Sequence, residues 1–598
     1  MRSLYARVAD TNLSRYRAGT GEAEGMGCGV GSEAVDPVLF ANDNPIAGLE
    51  DGRQVGDSRS FHNERMALGR GMIMDASDIT RRRFGTLAMG TGLWTLTAGC
   101  APVLARIGGL PPGVGPVASA HAYRDGMTRS TPEIEGVSSD AILAFLADVA
   151  GAGLELHSMM LMRNEKVVAE GWWWPYQPDR VHITHSLTKS VTAAAVGLAI
   201  DEGRFGLDER VVSFFPEYVP ADASENMRAM TVRNLLTMQC GHDKETSGSA
   251  WRPISTPWAA EFFKIPVPHV PGTHFKYTSA ASFMLSAIIS KTTGASMADY
   301  LRPRFMEPLG IDRWRWDTSP GGVSPGGNGL SWNTSASLKL GAVHASGGLW
   351  NGKRVLSEQW VLAATTEQTP GDADGAYGYQ WWMGPGRAYL ALGLFSQFTI
   401  VFPEHNAVLA IFSAIDGSKK IKPFIWKHFP AAFGAPSRPG PAAAAQKARP
   451  AARRLLPSPK ASTSPVAAEV SGRRFAAEAN DQGVEWMAFD FADGACTYRM
   501  RDANGEHEVT AGFADYLEQD TSMTGNRLHH EYRPPTQRVV AGARWTAPDT
   551  LEMTWQFVET AFRDTLICTF SDAGVAVDRS VNINSAETRL PLLRGRIV

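Results

Sequence analysis

Cysteine is scarce and scattered. The five residues Cys28, Cys100, Cys240, Cys496 and Cys568 include no CxxC pair, so their spacing supports neither a disulfide framework nor a zinc site. No charge sign dominates either: 58 basic against 61 acidic residues leave a net charge of −3. That balance removes the case for a nucleic-acid partner or a polybasic membrane surface. The most membrane-like stretch, just before Cys100, runs roughly 15 residues, short of the ~20 that a spanning helix needs. What remains is the composition of a soluble protein, 44% hydrophobic and 20% charged, with 17 tryptophans. At 598 residues it is long enough for two or three globular units.

The amino-terminal region carries a targeting pattern. In "SDITRRRFGTLAMGTGLWTLTAGCAP", Arg81, Arg82 and Arg83 precede Phe84, a short apolar region and small residues. This order describes an export signal and resembles the twin-arginine type of bacteria, with residues 72–100 as the signal. "LTAGC" resembles a lipoprotein signal, which would make Cys100 a lipidated residue and a membrane anchor. Leu96 lies four positions before Cys100, where that pattern places it three before. The expected location is the bacterial periplasm, free or anchored. Residues 1–71, upstream of the signal, are read as a mis-assigned start before Met72 or Met74, or as a disordered extension.

From 135 to 434 helical and strand-like patterns alternate, after a linker at 101–134. "HSMMLMRNEKVVAEGWWW" reads as two strands turning at Asn164. Helices are expected around 187–202, 231–238, 279–294 and 334–347. "YLALGLFSQFTIVFPEHNAVLAIFSAI" reads as a strand pair turning at Pro403–Asn406. The expected class is α+β, an antiparallel sheet flanked by helices plus a helical region. Residues 435–469, rich in proline, alanine and basic residues, read as a linker. Residues 470–598 read as a separate all-β domain, a small sandwich or barrel. Met487, Phe489 and Phe491 alternate with polar residues before an Asp493–Gly494 turn, and Leu551, Met553, Trp555 and Phe557 repeat the period.

The chemistry centres on "HITHSLTKSVTAAAVGLAI". Ser186 and Lys189 stand three apart, on one face of a helix start, so the amine can reach the hydroxyl. A serine hydroxyl needs an adjacent base to act as a nucleophile. Lysine serves only when neutral, a form favoured by burial and by a helix amino terminus. Alone, the pair is better described as a helix cap and a solvated lysine.

Two further segments change this. "PGTHFKYTSAASFMLSAII" places Tyr277 and Ser279 as a Y-x-S element, and Ala391–Leu392–Gly393 opens a strand. With S-x-x-K, their order and spacing resemble the serine β-lactamase and penicillin-binding-protein superfamily, particularly its class C-related branch of carboxylesterases and 6-aminohexanoate-dimer hydrolases. The resemblance implies a β-lactamase/transpeptidase-like fold and acyl transfer through Ser186, with Lys189 and Tyr277 sharing its proton. An ammonium neighbour would favour the Tyr277 phenolate. Which of the two is the base stays open. By family position the oxyanion would meet the backbone N–H groups of Ser186 and Leu394. Ser279, Ala391, Gly393 and Trp382 would contact substrate, and neither a metal nor an organic cofactor is implied.

The departures narrow the substrate. Ala391 stands where a β-lactamase or transpeptidase usually offers lysine to a substrate carboxylate, and Ser279 replaces an asparagine amide. Loss of a charge-assisted hydrogen bond of roughly 1.5–3 kcal/mol disfavours β-lactams. The expected partner is a small ester or amide. The competing readings are a D,D-peptidase, penicillin-binding protein or weak β-lactamase, and, in another class, a catalytically silent exported binding protein. His185, His242 and His274 are read as structural. Trp172–Trp174 and Trp381–Trp382 fit a cleft wall or core packing equally.

Overall fold

The computed structural model describes residues 110–117, 123–434, 454–460 and 462–598. The export signal and Cys100 lie outside them. Strand Glu155–Arg163 is buried along nearly its whole length, which is why its apolar residues run on without alternation. It turns through Asn164 (φ 50°) and Glu165 (φ 62°) into strand Lys166–Trp172. A two-residue turn with both φ values positive matches the twist of a hairpin, and asparagine accepts that conformation readily.

These strands sit near one edge of a nine-stranded sheet. Its order is Thr369–Asp372, Gly375–Tyr377, Trp382–Met383, Tyr389–Gly393, Gln397–Phe402, Ala407–Ala414, Glu155–Arg163, Lys166–Trp172 and Thr128–Arg129. The stretch expected as a strand pair is therefore three strands, with an additional turn at Leu394–Ser396. That turn has no glycine, proline or asparagine to announce it. Phe395 (φ 60°) and Ser396 (φ 66°) hold left-handed conformations instead, and Ser413 Oγ lies 2.9 Å from both of their carbonyl oxygens.

Helices cover both faces. On one, Thr399 Oγ1 meets Ser337 Oγ at 2.7 Å, and Gly341 lets helix Thr334–Ala345 approach Val408 and Thr399. On the other, Phe402 packs on Phe429 and Phe433 of the segment around helix Lys422–Ala432. Helix Thr188–Asp201 is buried nearly all round, as its alanine-rich composition requires, and Gly197 lies flush against the Trp360 ring.

Residues 474–597 form the separate barrel-like domain. Its strands run in the order Leu517–Thr521, Gln537–Ala547, Gly505–Gly512, Ala495–Asp502, Trp486–Ala492, Arg474–Ala477, Leu593–Ile597, Gly574–Val581, Arg563–Ser571 and Thr550–Phe557, the last closing back onto Gln537–Ala547. Met487, Phe489, Leu551, Met553, Trp555 and Phe557 fill the interior, as the alternation predicts. Phe491 is half-buried at the rim, stacked on Trp545.

Two segments read as linkers contain ordered contacts. Gly115–Pro116 pairs with Leu517–Glu518, Thr128–Arg129 joins the large sheet, and Leu455 N–H donates to Trp174 O at 2.8 Å. Such pairing is dictated by the free edge of the partner, which composition does not show. Among the described residues no helix is long and apolar enough to cross a membrane.

Candidate active site

A small sheet leads into Ser186. His182–Ile183 pairs with Leu330–Trp332, and Thr184 donates to Leu330 O through its N–H (2.9 Å) and hydroxyl (2.8 Å). His185 then takes a left-handed conformation (φ 49°), unusual for a bulky residue, and turns the chain into the helix that Ser186 heads. Its ring packs edge-on to Phe395 (5.4 Å). Burial and the nearby Arg252 charge hold that imidazole far below its usual range, hence neutral.

Lys189 is 1 % exposed. Its Nζ donates to Ser186 Oγ (3.1 Å), Ser279 Oγ (3.0 Å) and Gly327 O (2.8 Å). Among the described residues no carboxylate pairs with it. Burial pushes its pKa down to about 8, against the opposing field of Glu245. Gly327 allows this approach, since a Cβ there would press on the Ser279 backbone and side chain at 2.9 Å.

Tyr277 lies under the amine, with Lys189 Nζ 4.8 Å from its ring centre, and stacks on Trp382 at 5.4 Å. Its hydroxyl interacts with Ser186, yet burial raises its pKa well above the ordinary phenol value. This runs against the expectation that a neighbouring ammonium favours the phenolate: burial, which favours the neutral phenol, is the larger influence. Tyr277, Ser186 and Ser279 are each half-buried.

The third element comes directly against the turn that precedes Ser186. A Cβ on Gly393 would sit 2.0 Å from Thr184 O, so only glycine permits strand Tyr389–Gly393 to pass there. Among the described residues, neither the Ser186 N–H nor the Leu394 N–H is taken by a protein acceptor. Ala391 pairs with Thr399 and is 1 % exposed in the apolar core, presenting no polar group. Trp382 is buried behind Tyr277.

Several contributors carry no motif. Glu245 accepts the Ser279 N–H (2.7 Å) at the amino terminus of helix Ser279–Thr293, where the helix dipole favours an anion, and accepts Ser247 N–H at 2.9 Å. Gln380 ties three helices together, donating to Leu235 O and Leu236 O, accepting from Ser282 Oγ at 2.6 Å and, at its backbone carbonyl, from Ser190 Oγ at 2.7 Å. Neither "GHDKETSG" nor "YGYQWW" has a pattern that would single these residues out.

Other aromatic and histidine residues lie elsewhere. Trp381 is fully buried, edge-on to Tyr389. Trp174 packs on Tyr516 of the barrel and under Arg454. His242 is buried beside Phe262, and burial pushes its pKa down to about 4. His274 packs against His269 with the rings tilted at 34°, and His269 Nε2 lies 2.7 Å from Asp243 Oδ1. The ligand atoms of these three residues lie within 4.8 Å of one another. The His269–Asp243 hydrogen bond accounts for that pair without an ion.

Residues 145–426 match the Beta-lactamase family model, and this part of the chain is a domain of that family. The 6-aminohexanoate-dimer hydrolase of Paenarthrobacter ureafaciens is 26% identical over 342 residues, 52% of this chain and 84% of the relative. The lovastatin esterase of Penicillium rubens is 26% identical over 25% of this chain and 42% of its own length. Among solved structures, a penicillin-binding protein homologue from Caulobacter crescentus shows 19% identity and a TM-score of 0.42, over 50% of this chain and 97% of its own. The octameric penicillin-binding protein homologue of Pyrococcus abyssi shows 15% identity and a TM-score of 0.41, over 76% and 99%.

Proposed function

We propose that this protein hydrolyses a small ester or amide through an acyl-enzyme on Ser186. The observation that carries the reading is Lys189: a buried amine that no described carboxylate pairs with directly, 3.1 Å from the Ser186 hydroxyl. With its pKa near 8, a usable fraction is neutral at ordinary pH, whereas the Tyr277 phenol keeps its proton. Lys189 is accordingly the base and Tyr277 the proton relay.

In the first step Ser186 Oγ attacks the carbonyl carbon as its proton passes to Lys189 Nζ. The oxyanion lies against the Ser186 and Leu394 N–H groups. The tetrahedral intermediate collapses, and the leaving alcohol or amine takes the proton by way of Tyr277. In the second step water attacks acyl-Ser186 and gives its proton to the same pair, releasing the acid and restoring the serine. The apolar Ala391 supports a neutral ester or amide over a β-lactam, whose carboxylate would find no cation there. The names of two relatives, a dimer hydrolase and an esterase, favour the same substrate class.

Turnover of p-nitrophenyl butyrate, lost in Ser186→Ala, tests the reading, and folded wild-type protein that hydrolyses neither esters nor short amides overturns it. The Arg81–Cys100 pattern further supports export. Processing near Cys100 in protein recovered from its native host is the expected result, and an intact upstream segment contradicts it.

A further inference from the structure

We propose that the C-terminal barrel belongs to the catalytic machinery, holding the two N–H groups of the oxyanion hole in their working arrangement, with Phe562 as the positioning residue. This rests on the acyl-enzyme reading above.

The two N–H groups come from separate chain segments, and the barrel grips both. On the nucleophile side, the Ile183 N–H donates to Glu559 O at 2.8 Å. Arg315, on the far strand of the same small sheet, pairs with the Glu559 carboxylate at 2.6 Å. The Tyr176 hydroxyl donates to Thr560 O at 2.7 Å. All these barrel atoms lie on the tip between strands Thr550–Phe557 and Arg563–Ser571.

On the other side, Phe395 follows Leu394 directly. Its side chain is 2 % exposed and belongs to the barrel's apolar cluster rather than to that of its own domain. It meets Phe562 at 5.6 Å, edge to face, and His185 at 5.4 Å. Phe562 is itself backed by His529, ring on ring at 4.4 Å and 4°. His529 Nε2 binds Asp564 at 2.7 Å, and Arg579 holds the other carboxylate oxygen. An ion pair in the barrel core thus anchors a row of rings ending beside Ser186.

The backbone shows why such a grip is needed. His185, Phe395 and Ser396 all hold positive φ without being glycine, and such conformations persist only when their surroundings impose them. They flank the two N–H groups. An oxyanion hole works through donors fixed before the charge develops, so loosening either segment weakens binding of the transition state more than that of the substrate.

The test uses the full chain with Phe562→Ala, Phe562→Leu and a control, Phe475→Ala, a fully buried barrel residue that packs on Phe489 and Phe570. Turnover of p-nitrophenyl butyrate and affinity for phenylboronic acid, which forms a tetrahedral adduct on serine, are measured below the unfolding transition. Phe562→Ala should lower kcat about tenfold or more with KM within about twofold, and weaken the boronic acid in proportion. Phe562→Leu, which keeps bulk but loses the flat face on His529, should lower kcat about threefold and serves if the alanine variant does not fold. Phe475→Ala should lower the melting temperature yet leave kcat within about twofold. Equal kcat losses in Phe562→Ala and Phe475→Ala, or a folded Phe562→Leu with wild-type kcat and boronate affinity, overturn the inference. An inactive wild type instead overturns the acyl-enzyme reading.

Discussion

Arg579 in the barrel and Lys189 in the catalytic domain are both buried cations, and their surroundings are opposite. Arg579 donates twice to Asp564, and the same carboxylate is bound by His529. Burial alone would raise the Asp564 pKa, but His529 and Arg579 hold it below the usual carboxylate range. Lys189 Nζ donates to three neutral oxygens and, among the described residues, to no carboxylate, and burial brings its pKa down to about 8. A matched charge fixes a structure in place, whereas an unmatched one is ready to release its proton.

Substitution tests this contrast most strongly at Lys189. Lys189→Met should lower kcat by about 10²–10⁴-fold, the range for loss of a positioned base. Its effect on stability should have the opposite sign to that of breaking the barrel pair. Asp564→Asn leaves Arg579 without its partner and should destabilise by about 3–5 kcal/mol. Lys189→Met removes a charge whose burial is unfavourable, and denaturant unfolding near pH 7 should show it no less stable than wild type. A Lys189→Met variant destabilised as much as Asp564→Asn would mean that the lysine charge is compensated after all.

The pH dependence sharpens the same comparison. The Lys189 folded-state pKa of about 8 lies below its unfolded value of 10.5. Below both, the ammonium is charged in each state and the burial penalty is present in full, about 3 kcal/mol. Between pH 8 and 10.5 the unfolded chain binds more protons, so this contribution makes stability rise with pH. Because Lys189 acts as the base in its neutral form, kcat/KM should rise through an apparent pKa near 8. Stopped-flow rates across pH 6–10 check this, with Lys189→Met as the control in which that limb disappears.

A smaller effect is expected where backbone rather than charge shapes the site. Gly393→Ala pushes a methyl group against Thr184 O and should lower stability by about 1–3 kcal/mol. Its kcat should fall about tenfold as the Leu394 N–H shifts. Wild-type kcat in this variant would remove strand Tyr389–Gly393 from the oxyanion site.

The two regions also differ in what their sequence discloses. In the barrel, period-two alternation identifies the interior, because each strand buries one face only. In the catalytic domain the central strands and helix Thr188–Asp201 are buried all round, so spacing says little there and the polar exceptions are informative. Ser186, Lys189 and Tyr277 are legible as chemical groups at a recurring spacing. Glu245 and Gln380 are not, since their partners are backbone groups brought near only by folding. The Leu394–Ser396 turn is hidden for a related reason: Ser413 and the barrel stabilise conformations that Phe395 and Ser396 do not prefer by themselves. Ala391 is visible in the sequence, but its burial is not.

The most direct test of the account is the rate at which a fluorophosphonate labels the protein as a function of pH, with the adduct located by peptide mass mapping. The account predicts one adduct, on Ser186, forming at a rate that climbs through pH 8 and collapses in Lys189→Met. An adduct on another residue, or a Ser186 adduct formed at the same rate with and without the lysine, would contradict it.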